Sequence, residues 1–207
     1  MVLDHVQYQK NGVQNRNTIK TSQGGLWLTV PVKVNLGMAI NQVELVTTDC
    51  YEKLVKTLDM NYKKSAYYSE IMPKIEQIFS RHISSLHELN LLLLKELFGF
   101  LDISTPLVES STLNIESLKD DMVIEIINKV GDKEYLSGKG ALDYMDLEKF
   151  KAHGIKVYTY DFDYTPYTQL WDKQGFVADL SALDMLFNDL PNSKDYLCNN
   201  GKIERII

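Results

Sequence analysis

Apolar and polar residues alternate along the run LWLTVPVKV, residues 26–34, which is rich in β-branched side chains and follows Gly24-Gly25. A period of two predicts a strand entered through a turn, and Pro31, which has no backbone donor, puts that strand at an edge or a bulge. QVELV, residues 42–46, predicts a second short strand, closed by Thr47, Thr48 and Asp49, any of which suits a helix cap. From Cys50 to Leu101 the spacing lengthens to three and four and predicts three helices, divided at Lys63-Lys64-Ser65 and between Arg81 and Ser85. In the third, Leu86, Leu89, Leu93, Leu94 and Leu97 form a stripe, and Ser85 with Glu88 makes a capping box. STPLVESS, residues 104–111, predicts another strand, and residues 117–129 a helix ended by Gly131.

The last third reads as a βαβ unit. A short strand ends at Leu136, a glycine turn covers Ser137-Gly138-Lys139-Gly140, a helix runs to about His153, Gly154 stops it, and a strand follows from Ile155 to Tyr160. Residues 163–176 predict an aromatic loop, and residues 179–190 a helix with Leu180, Leu183, Leu186 and Phe187 on its apolar face. The polar residues from Pro191 predict a loose C-terminal tail over 191–207. The pattern predicts one α/β domain over 1–190, with a helical segment at about 50–101.

Composition narrows the function classes. The 28 acidic residues outnumber the 22 basic ones, for a net charge of -6 without any block of like charges, which argues against nucleic acid as a partner. The longest apolar run is broken by Lys95 and Glu96, and the N-terminus has no secretion signal, so no membrane partner is expected. Two isolated cysteines, Cys50 and Cys198, make neither a disulfide framework nor a metal site and suit a cytoplasmic location. Twelve tyrosines and two tryptophans favour a small-molecule site.

Three stretches offer chemistry. In NRNTIK, Arg16 has a planar fork for phosphate or carboxylate, with Asn15, Asn17 and Lys20 beside it. A polar solvated turn is the competing account. The Ser137-Gly138-Lys139-Gly140 turn could present backbone N–H groups to an anion, but it lacks the spacing of a Walker loop or of a dinucleotide fingerprint, and a plain βα turn explains it equally. In the aromatic loop, Tyr164, Tyr167, Gln169 and Trp171 have the ring faces and polar edges that suit sugars and bases, or else they lid the core. His82 and His87 are five apart, off the spacing that aligns ligands on one helix face, and His153 precedes a helix-ending glycine. Asp4, His5 and Asp143 are the candidate catalytic residues, and Asp161 a further carboxylate. No cofactor or metal motif is present.

The ordered stretches LDHVQYQKNGVQNRNTIKT, WLTVPVK, NYKKSAYY, YLSGKGALDYMD, GIKVYTYDF, YTQLW and DLSALDMLFN resemble the WbqC-like family, from residue 1 to about 190. The resemblance implies a bacterial, cytoplasmic enzyme of surface-polysaccharide or O-antigen precursor synthesis, acting on an activated sugar and transferring an acyl or aminoacyl group to it. It also implies a three-layer, mostly parallel Rossmann-like sheet, close to that of the HIGH-motif nucleotidyl-transfer enzymes. By position it carries a ligand-binding role onto Tyr8, Asn15, Arg16, Asn17, Ser137, Gly138, Gly140, Tyr144, Gln169 and Trp171. His5 stands where the family has a second aspartate. Family members begin with about 30 further residues, the length of one βα unit holding a His-Gln-Pro turn. The expectation is therefore that Val2–Val6 is a sheet strand beside a missing first strand. Two alternatives to the transferase stay open: an adenylating enzyme, and a truncated, inactive or purely binding protein.

Overall fold

A computed structural model describes residues 1–207. The chain is mixed α/β, with six α-helices and seven strands in small sheets. It divides into two compact units, one of residues 1–3, 107–164 and 197–207, the other of residues 4–106 and 165–196. No helix is long and apolar enough to cross a membrane.

The second unit begins with a hairpin. β1 (Arg16–Thr21) pairs antiparallel with β2 (Gly24–Thr29) across Ser22-Gln23, and Gly24 takes φ +101, a conformation that a side chain would strain. NRNTIK is thus a strand and not the polar turn expected. Its alternation is masked because Asn17 and Thr18 interrupt the apolar signal and the buried member of the pattern is a lysine. β3 (Val32–Lys33) pairs with β4 (Glu44–Leu45), so Pro31 separates two short strands at the sheet margin, as its missing donor requires.

Three helices follow at the expected places: α1 (Cys50–Tyr62), α2 (Tyr68–Phe79) and α3 (Leu86–Phe100). Buried residues recur at helical spacing, with Tyr51, Leu54, Leu58 and Tyr62 on α1 and Ile71, Met72, Ile75, Ile78 and Phe79 on α2. Tyr51 stacks on Phe79 at 5.0 Å and donates its hydroxyl to the Ile83 carbonyl at 2.5 Å, and burial pushes its pKa up to about 12. Ser85 caps α3 by accepting the Glu88 N–H at 3.3 Å. Ser85→Ala is expected to lower stability by about 1 kcal/mol in urea unfolding, and Ser85→Asp to restore it.

α6 (Ala182–Asn199) runs past Pro191. A proline leaves the carbonyl four residues earlier without its intrahelical donor; here that carbonyl, on Phe187, accepts the Tyr67 N–H at 3.1 Å, and Asp189 takes the non-helical φ of −151°. The expected loose tail is corrected accordingly. It is helical to Asn199, then forms β7 (Gly201–Arg205).

In the first unit, α4 (Lys119–Lys129), β5 (Glu134–Gly138), α5 (Leu147–Ala152) and β6 (Lys156–Phe162) give the expected βαβ unit, with β5 and β6 parallel. β7 pairs antiparallel with β6. Ile124, Ile127, Phe150, Ile155 and Val157 form the core beneath this sheet. The β5–β6 ladder is the parallel one among four pairings, so the strands do not assemble one mostly parallel sheet. Two more strand expectations are corrected. Residues 104–111 form no strand and lead into a 3-10 turn at Ser110–Leu113, since Pro106 and the serines give no sustained alternation. The segment Val2–Val6 makes isolated bridges: Val2 with Glu109 in the first unit and, just beyond it, Gln7 with Ala39 in the second.

Candidate functional site

The start of β1 holds itself together. Tyr8 donates its hydroxyl to Asn15 Oδ1 at 2.9 Å, and Asn15 Nδ2 donates to the Val30 carbonyl at 2.8 Å. Asn17 Oδ1 accepts the Thr18 N–H at 2.8 Å. Arg16 donates to the Asn11 carbonyl and lays its guanidinium over Trp27, 4.6 Å from the ring centre, while its Nε is buried without a partner. Both amide ends of Asn15 are engaged within the protein, which fits a structural role better than sugar recognition.

Lys20, at 1% exposure, is among the most buried side chains of the chain. Its Nζ donates to the Gly175 carbonyl at 2.5 Å, and its backbone N–H donates to the Tyr62 hydroxyl at 3.2 Å. Tyr62 in turn donates to Asp184 Oδ1 at 2.7 Å, and Tyr167 donates to Asp184 Oδ2 at 2.8 Å. Burial lowers the Lys20 pKa, with Asp184 and Asp172 opposing, and burial raises the Asp184 pKa, with the two tyrosine hydrogen bonds and Lys20 opposing. The two tyrosine pKa values are also pushed up, by burial first and then by Asp184. This network links β1, α1, the aromatic loop and α6.

The same loop is pinned elsewhere. Gln169 Nε2 donates to the Val177 carbonyl at 2.9 Å and its Oε1 accepts the Val177 N–H at 3.0 Å, and Gln174 Nε2 donates to the Ser22 carbonyl at 2.7 Å. Tyr167 meets Phe176 and Tyr196 edge to face. The structure therefore joins two stretches singled out in the sequence, NRNTIK and YTQLW, but it turns Lys20, Tyr167 and Gln169 inward.

Trp171 differs from them. It lines a pocket of about 550 Å3 with Lys63 and Lys64 at the end of α1, Asn61, and Asp172 and Lys173. Three lysines face one aspartate there. Trp171 takes φ +61 and ψ 48, a left-handed conformation that is strained for a bulky residue, and its indole nitrogen is buried without a hydrogen-bond partner. Lys63 and Lys64 carried no motif that would single them out in the sequence. The helix end in NYKKSAYY is the signal that could have found them.

Asp4 is buried, at 1% exposure, and its Oδ2 lies 3.8 Å from His87 Nε2 and accepts Asn41 Nδ2 at 3.2 Å. A carboxylate facing an imidazole is the arrangement that orients a general base. His87, discounted on its spacing from His82, pairs with a residue 83 positions earlier, which no local spacing reveals. His5 is half-buried.

In the first unit, the glycine turn does not form an anion cradle. Gly138 leads into a 3-10 turn at Lys139–Ala141, and α5 starts only at Leu147. Ser137 is buried with its hydroxyl on the Gly138 carbonyl, and Lys139 is paired with Asp161 at 2.5 Å, which holds the Asp161 carboxyl below its usual range. Gly140, Asp143 and Tyr144 lie exposed along this turn, and Tyr164 packs edge to face on Phe162.

The model of the WbqC-like protein family matches residues 1–196. The chain is 34% identical over 201 residues to the uncharacterized protein Rv1507c of Mycobacterium tuberculosis strain H37Rv, an alignment covering 95% of this chain and 86% of that protein. No solved structure matches it. On the family match and this alignment together, the chain belongs to the WbqC-like protein family.

Proposed function

We propose that this protein is a transferase of surface-polysaccharide precursor synthesis that binds a nucleotide-linked amino sugar and places an acyl or aminoacyl group on its amine. The Trp171 pocket carries the reading. Its volume of about 550 Å3 suits a small-molecule ligand, its three lysines suit a diphosphate, and an indole wall suits a base or sugar face. A helix end accounts for Lys63 and Lys64, since cations there complement the dipole. It accounts neither for Lys173 nor for a tryptophan held in a left-handed conformation with its N–H unpaired.

The transfer needs an activated acyl donor, such as a thioester or mixed anhydride. The amine nitrogen bonds to the acyl carbon, the bond to the activating group breaks, and the nitrogen loses one proton. His87, oriented by Asp4, is the candidate base. The two cysteines are free, which fits a place of action in the reducing cytoplasm.

The test is thermal unfolding with millimolar UDP- or dTDP-linked amino sugar. A ligand at a hundred times its Kd stabilises by about 2.7 kcal/mol, a shift of several degrees. No shift with either sugar nucleotide, together with one from ATP alone, would replace this reading by that of an adenylating enzyme.

A further inference from the structure

The second unit contains another cavity, of about 200 Å3, which the nucleotide-sugar reading leaves unused. Its walls come from four elements: Leu58 on α1, Ile75 and Phe79 on α2, Leu93 and Leu97 on α3, and the hairpin. The α3 leucine stripe changes duty along its length. Leu86 and Leu89 are fully buried, whereas Leu93 and Leu97 are only half-buried and border the cavity.

The polar residues of the lining are few, and three of them interlock. Asn90 Nδ2 donates to the Gln14 carbonyl at 2.8 Å, which fixes Gln14 beside Arg16. Gln14 Oε1 and Arg16 Nε are both buried and lack a hydrogen-bond partner. An unpaired buried donor and acceptor next to one another are costly in an empty protein, and a ligand with a carbonyl oxygen satisfies the donor. The guanidinium also rejects a cationic head group.

We infer that this cavity is the acyl pocket: it takes the hydrocarbon tail of a short acyl group, with the carbonyl directed to Arg16. An apolar cavity of about 150 Å3 lined by Leu, Ile and Phe stays dry and holds the six carbons of benzene. A cavity of about 200 Å3 therefore has room for a chain of about six carbons. The assignment rests on the transferase reading for the fate of the group, but not for its binding.

The probes are straight-chain carboxylates from acetate to decanoate, with hexylamine as the cationic control, titrated into the full chain by calorimetry. Affinity is expected to rise about three- to fourfold per methylene up to about six carbons, then to fall at decanoate. Hexylamine is expected not to bind. Arg16→Gln is expected to weaken hexanoate at least tenfold. Leu93→Trp, which fills the cavity, is expected to abolish hexanoate binding while leaving the sugar-nucleotide shift intact. Should that variant not fold, Leu93→Ala enlarges the space and moves the preferred chain to a longer acid. Absence of hexanoate binding in a protein that responds to the sugar nucleotide overturns the acyl pocket alone. Hexanoate binding without any sugar-nucleotide response overturns the transferase reading and leaves the pocket standing. Affinity independent of chain length reduces the site to an anion contact at Arg16 and overturns the inference.

Discussion

Asp184→Ala is expected to destabilise the protein by about 3–5 kcal/mol, the cost of removing one partner from a buried charged network, read as a lowered urea midpoint with unchanged slope. Asp184 is fully buried, and both carboxylate oxygens are engaged, by the hydroxyls of Tyr62 and Tyr167. Alanine leaves those two hydroxyls without an acceptor and the buried Lys20 without its nearby negative charge. Tyr62→Phe removes a single hydrogen bond to a charged group and is expected to cost less, about 1.5–3 kcal/mol. The aromatic loop hangs on this network, so Asp184→Ala is also expected to abolish the sugar-nucleotide response. A loss below about 1 kcal/mol would show that the network is dispensable.

The pH dependence of this site runs against that of the surface pairs. The Asp184 pKa is raised, so the folded protein binds the proton more tightly than the unfolded chain. Its contribution is unfavourable above the folded pKa and is relieved as pH falls through it. Relative to Asp184→Asn, the natural protein is therefore expected to gain stability on acidification from neutral pH toward the ordinary carboxylate range. Asp102, Glu134 and Asp161 are held below their usual values, chiefly by Lys194, Lys156 and Lys139, and the Glu125 pKa is lowered to about 2 by Lys129 and two backbone N–H groups. Their contributions are present above the unfolded pKa and are lost as pH falls through the folded one, with exposure and screening keeping each small. Urea unfolding of the two proteins between pH 4 and 7 separates the opposing slopes.

What was legible in the sequence follows the reach of each signal. The three helices from Cys50 to Phe100, the Ser85 cap and the β5–α5–β6 unit rest on local periodicity and on caps within a few residues, and they form where expected. The α6 extension past Pro191 was hidden because a distant N–H, that of Tyr67, satisfies the carbonyl that the proline orphans. NRNTIK read as a turn because its buried residue is Lys20, whose charge is tolerated only through Gly175 and Asp184, more than 150 positions away. The pairing of Asp4 with His87 is equally non-local. Family resemblance placed Arg16 and Trp171 among the ligand residues. It could not tell that Lys20, Tyr167 and Gln169 point into the protein, because that depends on packing.

Removing the charge of Lys63 and Lys64 together is expected to weaken sugar-nucleotide binding about 10- to 100-fold while leaving stability within about 0.5 kcal/mol, since both side chains are exposed. Binding to the natural protein is expected to fall as salt rises, and the double alanine variant to show a flatter dependence, because exposed charges act through a screened medium. Trp171 permits a sharper separation of ligand and fold. A residue kept for structure loses stability when truncated. Trp171→Gly also removes a side chain from a left-handed backbone, relief of about 1–3 kcal/mol that offsets the lost packing. The glycine variant is therefore expected to be close to the natural protein in stability and deficient in binding, since a stacking aromatic face is worth about 1–3 kcal/mol for a base. Calorimetric titration beside urea unfolding measures both. A variant that binds normally would remove the indole from the site, and one that binds weakly only in proportion to lost stability would return Trp171 to the core.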